Sequence, residues 1–257
     1  MRFRIIASAT GIALALTATL VGAAGAASDN ASDDVQPRII GGKPASEDYS
    51  FYTKLLEGGK FRCGAALITP QWLATAKHCI TMAHPNSVRV GGTELTSGEE
   101  IAIEKVVPGP GSDNPGPGSD FGLIKLAKPA TGAPVGITSE PLDTGAAVRI
   151  MGHGLTCPTR GCGEPPQQLQ ELDTKLVTGC ALLDPQAELC VGDQSAKGAC
   201  FGDSGGPLVV KVDGRWQLGG TTSRLGGFFP VCASAPSVYN SVPHFKSWIE
   251  QHTGPLS

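Results

Sequence analysis

Glycine and proline interrupt this chain so often that few stretches can sustain a helix. The 257 residues include 35 glycines and 20 prolines. An interior glycine costs a helix about 1 kcal/mol relative to alanine and a proline about 3 kcal/mol. What remains is a set of short runs rich in Val, Ile, Leu and Thr, bounded by turn residues, which predicts an all-β chain. Strands are expected over Cys63–Ile68, Trp72–Ala76, Ser87–Val90, Ile101–Val107, Phe121–Leu126, Val148–Gly152 and Leu169–Leu176. The clearest hairpin is Pro207–Val212 with Arg215–Gly220, joined by Asp213-Gly214, a dipeptide that favours the tight turns of two-residue loops. One helix is expected near the end, with Ser241 as its cap, Val242, Phe245, Trp248 and Ile249 on one apolar face, and Gly254 just beyond.

The front of the chain reads differently. Arg2 and Arg4 precede an apolar run from Ile5 to Val21, and small residues follow at Ala23-Ala24-Gly25-Ala26-Ala27. This is the pattern of a cleaved export signal, assigned to residues 1–27, and it predicts a secreted protein with no membrane attachment once the signal is removed. Residues 28–38 are short, polar and acidic, as in a propeptide. Eight cysteines suit an oxidising compartment, where they pair. The net charge is −3 with no basic block, which argues against nucleic acid as a partner. Neither paired C-x-x-C nor H-E-x-x-H spacing occurs, so no metal and no cofactor is expected.

Chemistry concentrates in Lys197-Gly198-Ala199-Cys200-Phe201-Gly202-Asp203-Ser204-Gly205-Gly206-Pro207-Leu208. A small nucleophile, Ser204, follows an acid and precedes an apolar strand, with glycines on both sides. Glycines permit a backbone whose N–H groups converge on one small space. If Ser204 attacks a carbonyl, the amides of Gly202 and Ser204 are placed to hold the oxyanion. A base is available in His78, at the end of the apolar run Leu73-Ala74-Thr75-Ala76-Lys77-His78-Cys79. An orienting acid is available in Asp120, which opens Phe121–Leu126.

The order His78, Asp120, Ser204 resembles that of the trypsin/chymotrypsin family of serine peptidases, and differs from two other known orders. The resemblance covers nearly all of Ile39 to Thr253. It implies two six-stranded antiparallel β-barrels with a C-terminal α-helix, here about residues 39–135 and 136–257, joined through the Pro- and Gly-rich segment Pro129–Gly145. It implies His78 as base, Asp120 as orienter, Ser204 as nucleophile and Ser223 as support for Asp120. It also implies cleavage between Arg38 and Ile39, freeing an amine that pairs with Asp203. Disulfides implied by the family are Cys63–Cys79, Cys180–Cys190 and Cys200–Cys232, which leave Cys157 and Cys162 for each other.

Specificity departs from the trypsin pattern. Where trypsin-like relatives carry a pocket-base aspartate, six residues before Ser204, this chain has Gly198, followed by Ala199. Ser237 replaces a usual glycine on the opposite wall, Phe201 and Ser223 border the pocket, and the family's Ser-Trp-Gly rim reads Ser223-Arg224-Leu225. A cationic substrate side chain would be unpaired there, so an apolar residue is expected before the scissile bond. Leu225 projecting inward gives an elastase-like pocket for small or medium residues; turned outward, it leaves a deeper chymotrypsin-like slot. The expected function is a secreted serine endopeptidase made as a zymogen, a monomer acting on protein or peptide substrates and activated by a separate trypsin-like protease. The alternative is a catalytically impaired binding protein of the same fold, since Lys77 replaces the usual Ala beside His78 and Arg224 and Leu225 alter the rim. A purely structural disulfide-rich protein would leave His78, Asp120 and Ser204 unexplained. His153 stands where relatives carry Trp and is read as structural.

Overall fold

A computed structural model describes residues 39–112, 116–192 and 196–256; the expected signal, propeptide and Arg38 lie outside them. After a two-residue strand β1 (Lys43–Pro44) come β2 (Tyr52–Glu57), β3 (Lys60–Thr69) and β4 (Trp72–Ala76). A single short helix, α1 (Lys77–Thr81), precedes β5 (Ser87–Val90), β6 (Glu99–Pro108) and β7 (Phe121–Leu126). Strands β2 to β7 close into a barrel in the order β2-β3-β4-β7-β6-β5. β4 and nearly all of β2 are buried along their length, so their side chains fill the barrel on one face and pack against covering segments on the other.

The second half contributes β8 (Gly136–Ile137), β9 (Ala147–Gly152), β10 (Gln170–Lys175), β11 (Glu188–Val191), β12 (Pro207–Val212), β13 (Arg215–Leu225) and β14 (Ser237–Ser241). These form one sheet in the order β1-β10-β9-β12-β13-β14-β11. Beyond the end of β10, Leu176 bridges Val191 of β11. Bonds from Val177 N to Cys190 O (2.9 Å) and from Gly192 N to Lys175 O (3.1 Å) flank that bridge. The ring of β9 to β14 therefore returns on itself, and the expected second six-stranded barrel is present, closed through a bridge instead of a full ladder. β1 and β8 are additions outside it. β8 lies in the segment read as a plain crossover, and pairs in parallel with β13 at Gly136–Gln217 and Ile137–Leu218.

The Asp213-Gly214 turn joins Val212 and Arg215 as paired residues, with φ of 49° and 79° at its two central positions. At the C-terminus the apolar face is as expected, with Val242, Phe245 and Ile249 buried. The start differs. Ser241 is still paired with Gly220 as the last residue of β14, so its hydroxyl makes no cap. The first turn, Val242–Phe245, is a 3-10 turn containing Pro243, and the helix proper is α2 (Lys246–Thr253), ending at Gly254 with φ 79°. Phe245 stacks on Phe121 of β7 at 4.6 Å between ring centroids, and Trp248 meets the same ring edge-on at 6.0 Å. Among the described residues no helix is long and apolar enough to cross a membrane.

Four disulfides tie the loops: Cys63–Cys79, Cys157–Cys162, Cys180–Cys190 and Cys200–Cys232. One buried cation escaped the sequence reading. Lys54 is fully enclosed, and its Nζ donates to the carbonyls of Gly91, Gly92 and Glu94, each at 2.9 Å.

Because Phe121 fills the contact between β7 and the terminal helix, Phe121→Ala is expected to destabilise the fold by about 3–5 kcal/mol. Phe245→Ala should cost a similar amount, and the double variant less than the sum, because the two rings lose one shared contact. Urea midpoints of the three variants measure this directly.

Candidate active site

His78 and Asp120 meet because their strands are neighbours. β4 pairs with β7, Ala76 opposite Phe121, so the residues just outside that pair lie side by side. Lys77 N donates to Asp120 O at 2.9 Å and His78 N to Asp120 Oδ1 at 2.9 Å. The imidazole Nδ1 lies 3.1 Å from Oδ1 and 2.9 Å from Oδ2. A carboxylate only accepts, so Nδ1 is the donor in this pair, and in the neutral ring the lone pair falls to Nε2. From the second barrel, Ser223 Oγ donates to Oδ2 at 2.7 Å and Asn240 Nδ2 to the Asp120 carbonyl at 2.9 Å. Asp120 is thus a buried acid with each carboxylate oxygen engaged.

Ser204 and His78 line the same two adjoining cavities. Among the described residues the serine hydroxyl makes no hydrogen bond to His78 Nε2 in this arrangement; that nitrogen has a contact with Cys79 Sγ at 3.7 Å. Such bonds commonly tighten only when substrate is bound. The Ser204 carbonyl accepts from Gly64 N at 2.8 Å, which pins the Ser204 turn to the first barrel. Gly202 has φ 100°. Among the described residues the N–H groups of Gly202 and Ser204 have no intramolecular acceptor, which leaves both to serve a ligand.

Asp203 is the other buried acid, only 2% exposed. Its Oδ1 accepts from Gly154 N and its Oδ2 from Cys200 N, both at 2.8 Å. A side chain at Gly154 would begin 2.3 Å from this carboxyl group, so only glycine fits. No cation faces it among the described residues, and burial pushes its pKa up to about 7. Ile39 is buried, in a cluster with Val148, Ile150 and Leu172. Its φ of 35° is a costly conformation for a β-branched residue. The next residue, Ile40, bridges Gly198.

Beside Ser204 opens a cleft of about 420 Å³, lined in part by Ala199, Phe201, Ser223, Leu225 and Ser237. Among the described residues Asp120 is the one carboxylate on its wall, and it is already committed to His78 and Ser223. Ser237 is buried, with its hydroxyl unpartnered, facing the Gly198 side. Donor atoms of Cys63, His78 and Cys79 lie within 4.8 Å of one another, but both sulfurs are spent in a disulfide and so are not thiolate ligands.

The Trypsin family model matches residues 39–249. The chain belongs to the trypsin family of serine proteases. Among its relatives are kallikrein-5 of Homo sapiens, 32% identical over 251 residues, covering 89% of this chain and 80% of that protein. A trypsin-like protease of Streptomyces glaucescens is 34% identical over 274 residues, covering 98% of each. A solved structure of neuropsin, a serine protease expressed in the limbic system of mouse brain, superposes with a TM-score of 0.69 at 26% identity. That match covers 79% of this chain and 94% of neuropsin.

Three departures from the trypsin-family pattern now have physical accounts. Lys77 is buried, and its Nζ donates to the carbonyls of Pro110 (3.3 Å) and Ser112 (3.0 Å), tying the loop before Asp120 to the helix that carries His78. Arg224 turns along the rim to a buried partner, Glu188, with Nη1 on Oε1 and Nη2 on Oε2. Glu188 also accepts from Gly118 N and Asp184 N, so one carboxylate gathers the rim and two loops. Sequence reasoning missed it; the signal was an isolated acid opening the apolar run Glu188-Leu189-Cys190-Val191. His153 is enclosed against Tyr52 and Phe61. It is bonded through Nδ1 to Pro166 O at 3.0 Å, and burial draws its pKa down to about 4.

Asp203 and His153 give opposing pH dependences. The Asp203 carboxyl titrates near 7 in the fold against an ordinary 3.8, so the folded chain holds the extra proton and stability falls as pH rises from about 4 to 7. His153 loses its proton more readily folded than unfolded, so its effect runs the other way between about 6.5 and 4. The comparison that isolates Asp203 is wild type against Asp203→Asn in the full chain. Wild type should gain about 2 kcal/mol relative to the variant between pH 7 and pH 5, read from urea midpoints.

Proposed function

We propose that this trypsin-family chain is a secreted serine endopeptidase, made as an inactive precursor and cleaving after apolar residues of small or medium size. The observation that carries the reading is the meeting of Asp120, His78 and Ser204 at one cleft, with the acid held from both barrels. Asp120 fixes Nδ1 as the donor, so Nε2 is free to take the Ser204 proton as Oγ bonds to the substrate carbonyl carbon. The carbonyl oxygen becomes an oxyanion between the Gly202 and Ser204 amides. As the tetrahedral species collapses, the C–N bond breaks, and the imidazolium returns the proton to the leaving amine. Water then repeats the sequence on the acyl-enzyme, releasing the acid and restoring Ser204.

Precursor control rests on Asp203. It is a carboxyl group buried beside the oxyanion turn with, among the described residues, two backbone donors and no cation. Cleavage after Arg38 would make the Ile39 nitrogen a free ammonium, able to move in and pair with Asp203. Its charge would stabilise the Asp203 carboxylate and fix the Gly202 peptide. The strained φ of Ile39 fits a segment that relaxes once the bond to Arg38 is cut.

The apolar preference rests on Gly198, Ala199 and Ser237, which offer no negative charge to a substrate cation. Leu225 on the cleft wall favours the smaller, elastase-like range. A pocket of this chemistry suits its own Arg38 poorly, so activation falls to a separate protease with trypsin-like specificity.

Treating the protein with trypsin and then assaying matched peptides with Ala, Val, Leu, Phe or Arg before the scissile bond tests these points together. Val and Leu are expected to lead. Arg should trail by at least about 100-fold in kcat/KM, the equivalent of leaving a cation unpaired at a cost near 3 kcal/mol. Ser204→Ala should lower kcat by at least about 10⁴-fold and abolish labelling by a sulfonyl fluoride. Arg as the best substrate would reject the pocket reading, and an unlabelled Ser204 would reject the enzyme.

A further inference from the structure

The cleft continues past the nucleophile. On the far side of Ser204 and His78 from Leu225 and Ser237 lies a second cavity of about 430 Å³, bounded by Glu57, Arg62, Cys63, Ala83, Arg160 and Phe201. Its position assigns its occupant. A substrate whose side chain before the scissile bond enters the first cleft must leave across His78, which protonates the departing amine. The second cavity therefore receives the residues that follow the bond.

Among the described residues its charge is unbalanced. Two guanidiniums, Arg62 and Arg160, face one carboxylate, Glu57. Arg62 is already paired with Glu57, Nη2 to Oε2 at 2.7 Å. Arg160 has no ion-pair partner among the described residues. It lies instead over the ring of Phe201, its Cζ 4.3 Å from the centroid. That ring stands one residue before Gly202, so the cation is held beside the oxyanion turn by a contact that leaves its edge N–H groups without a protein acceptor among the described residues. The support is short and braced, because Arg160 sits inside the loop closed by Cys157–Cys162. Arg160 also borders the first cleft, so it stands over the point where the two cavities meet.

The geometry points to Arg160 as a specificity-determining residue of the leaving-group side, one that selects substrates with Asp or Glu at the first or second position after the scissile bond. This rests on the serine-peptidase reading above, since it takes the direction of the substrate from the role of His78. An acidic side chain there would take the open edge of the guanidinium as a charge-assisted pair, while Phe201 keeps the face. A lysine at the same position would meet like charge.

The test uses matched peptides with Glu, Ala or Lys at the first and second positions after the bond, on trypsin-treated wild type, Arg160→Ala and Arg160→Glu. Wild type should favour Glu over Ala by about 3- to 5-fold in kcat/KM at low salt, the size of one solvent-accessible ion pair. The preference should shrink at about 0.5 M NaCl. It should vanish in Arg160→Ala and invert toward Lys in Arg160→Glu. A second readout does not depend on turnover: binding of the same peptides to the trypsin-treated Ser204→Ala protein should show the same order of affinities, and Ser204→Ala with Arg160→Glu the reverse. Loss of all hydrolysis with the binding order intact would overturn the peptidase reading and leave Arg160 as an acidic-peptide site. Equal values for Glu, Ala and Lys, or a preference that survives in Arg160→Ala, would overturn the inference about Arg160 while leaving the peptidase intact.

Discussion

The two barrels touch through bare backbone, and the site exists because they do. A side chain at Gly64 would begin 2.7 Å from the Cα of Gly206, and one at Gly205 would begin 2.2 Å from Thr75 Oγ1 and 2.4 Å from the Gly64 carbonyl. Three glycines from two distant parts of the chain therefore let β3 and the turn after Ser204 approach as closely as two strands in a sheet. The Gly64 N–H to Ser204 carbonyl bond is the result. A methyl group at Gly64 or Gly205 would meet atoms of the other barrel well inside van der Waals contact and would push the turn outward by more than the tolerance of a hydrogen bond. Everything that Ser204 is asked to do depends on a contact in which it supplies only a carbonyl.

Two buried acids flank that contact and are treated in opposite ways. Asp120 receives donors from α1 and from β13, so it is a seam element as well as an orienter, and pulling the barrels apart would strip its carboxylate of Ser223. Among the described residues Asp203 has backbone donors only, and burial leaves it reluctant to ionise. Among the described residues one acid has side-chain donors from both barrels, and the other has backbone donors and no facing cation. That contrast is why the proposed precursor control is placed at Asp203 and not at Asp120.

Legibility follows the range of the physics. The strands, the Asp213-Gly214 turn and the apolar face of the last helix were readable because each is a local pattern of burial or backbone conformation. The family resemblance, read from Ser204, His78 and Asp120, carried the two-barrel architecture across distances that periodicity cannot span. Four features were not legible. β8 is two residues long and has no period. Ser241 reads as a cap by type but is spent as a strand end, a choice made by its pairing with Gly220. Lys54 and Glu188 look like surface charges in sequence, and only the loops folded around them turn one into a carbonyl-bound core cation and the other into the partner of Arg224, 36 residues away. Side chains that the tertiary structure rescues leave no mark on their neighbours in the chain.

The pairing of Glu188 with Arg224 also bears on how a rim can change its chemistry without losing its shape. A buried ion pair seldom adds stability over an apolar packing of equal volume, because desolvation consumes most of the Coulombic gain. What it adds is direction. Arg224 is bonded at both terminal nitrogens to one carboxylate, and through Nη2 to the Leu182 carbonyl at 2.8 Å. The same carboxylate takes the Gly118 and Asp184 N–H groups. A flexible side chain thus becomes a rigid strut with its charge cancelled inside the protein. Lys54 and Lys77 are handled similarly, each with its ammonium turned into backbone carbonyls. Among the described residues these cations are neutralised or capped where they serve the architecture, and Arg160, stacked on Phe201 with no ion-pair partner, follows a different rule.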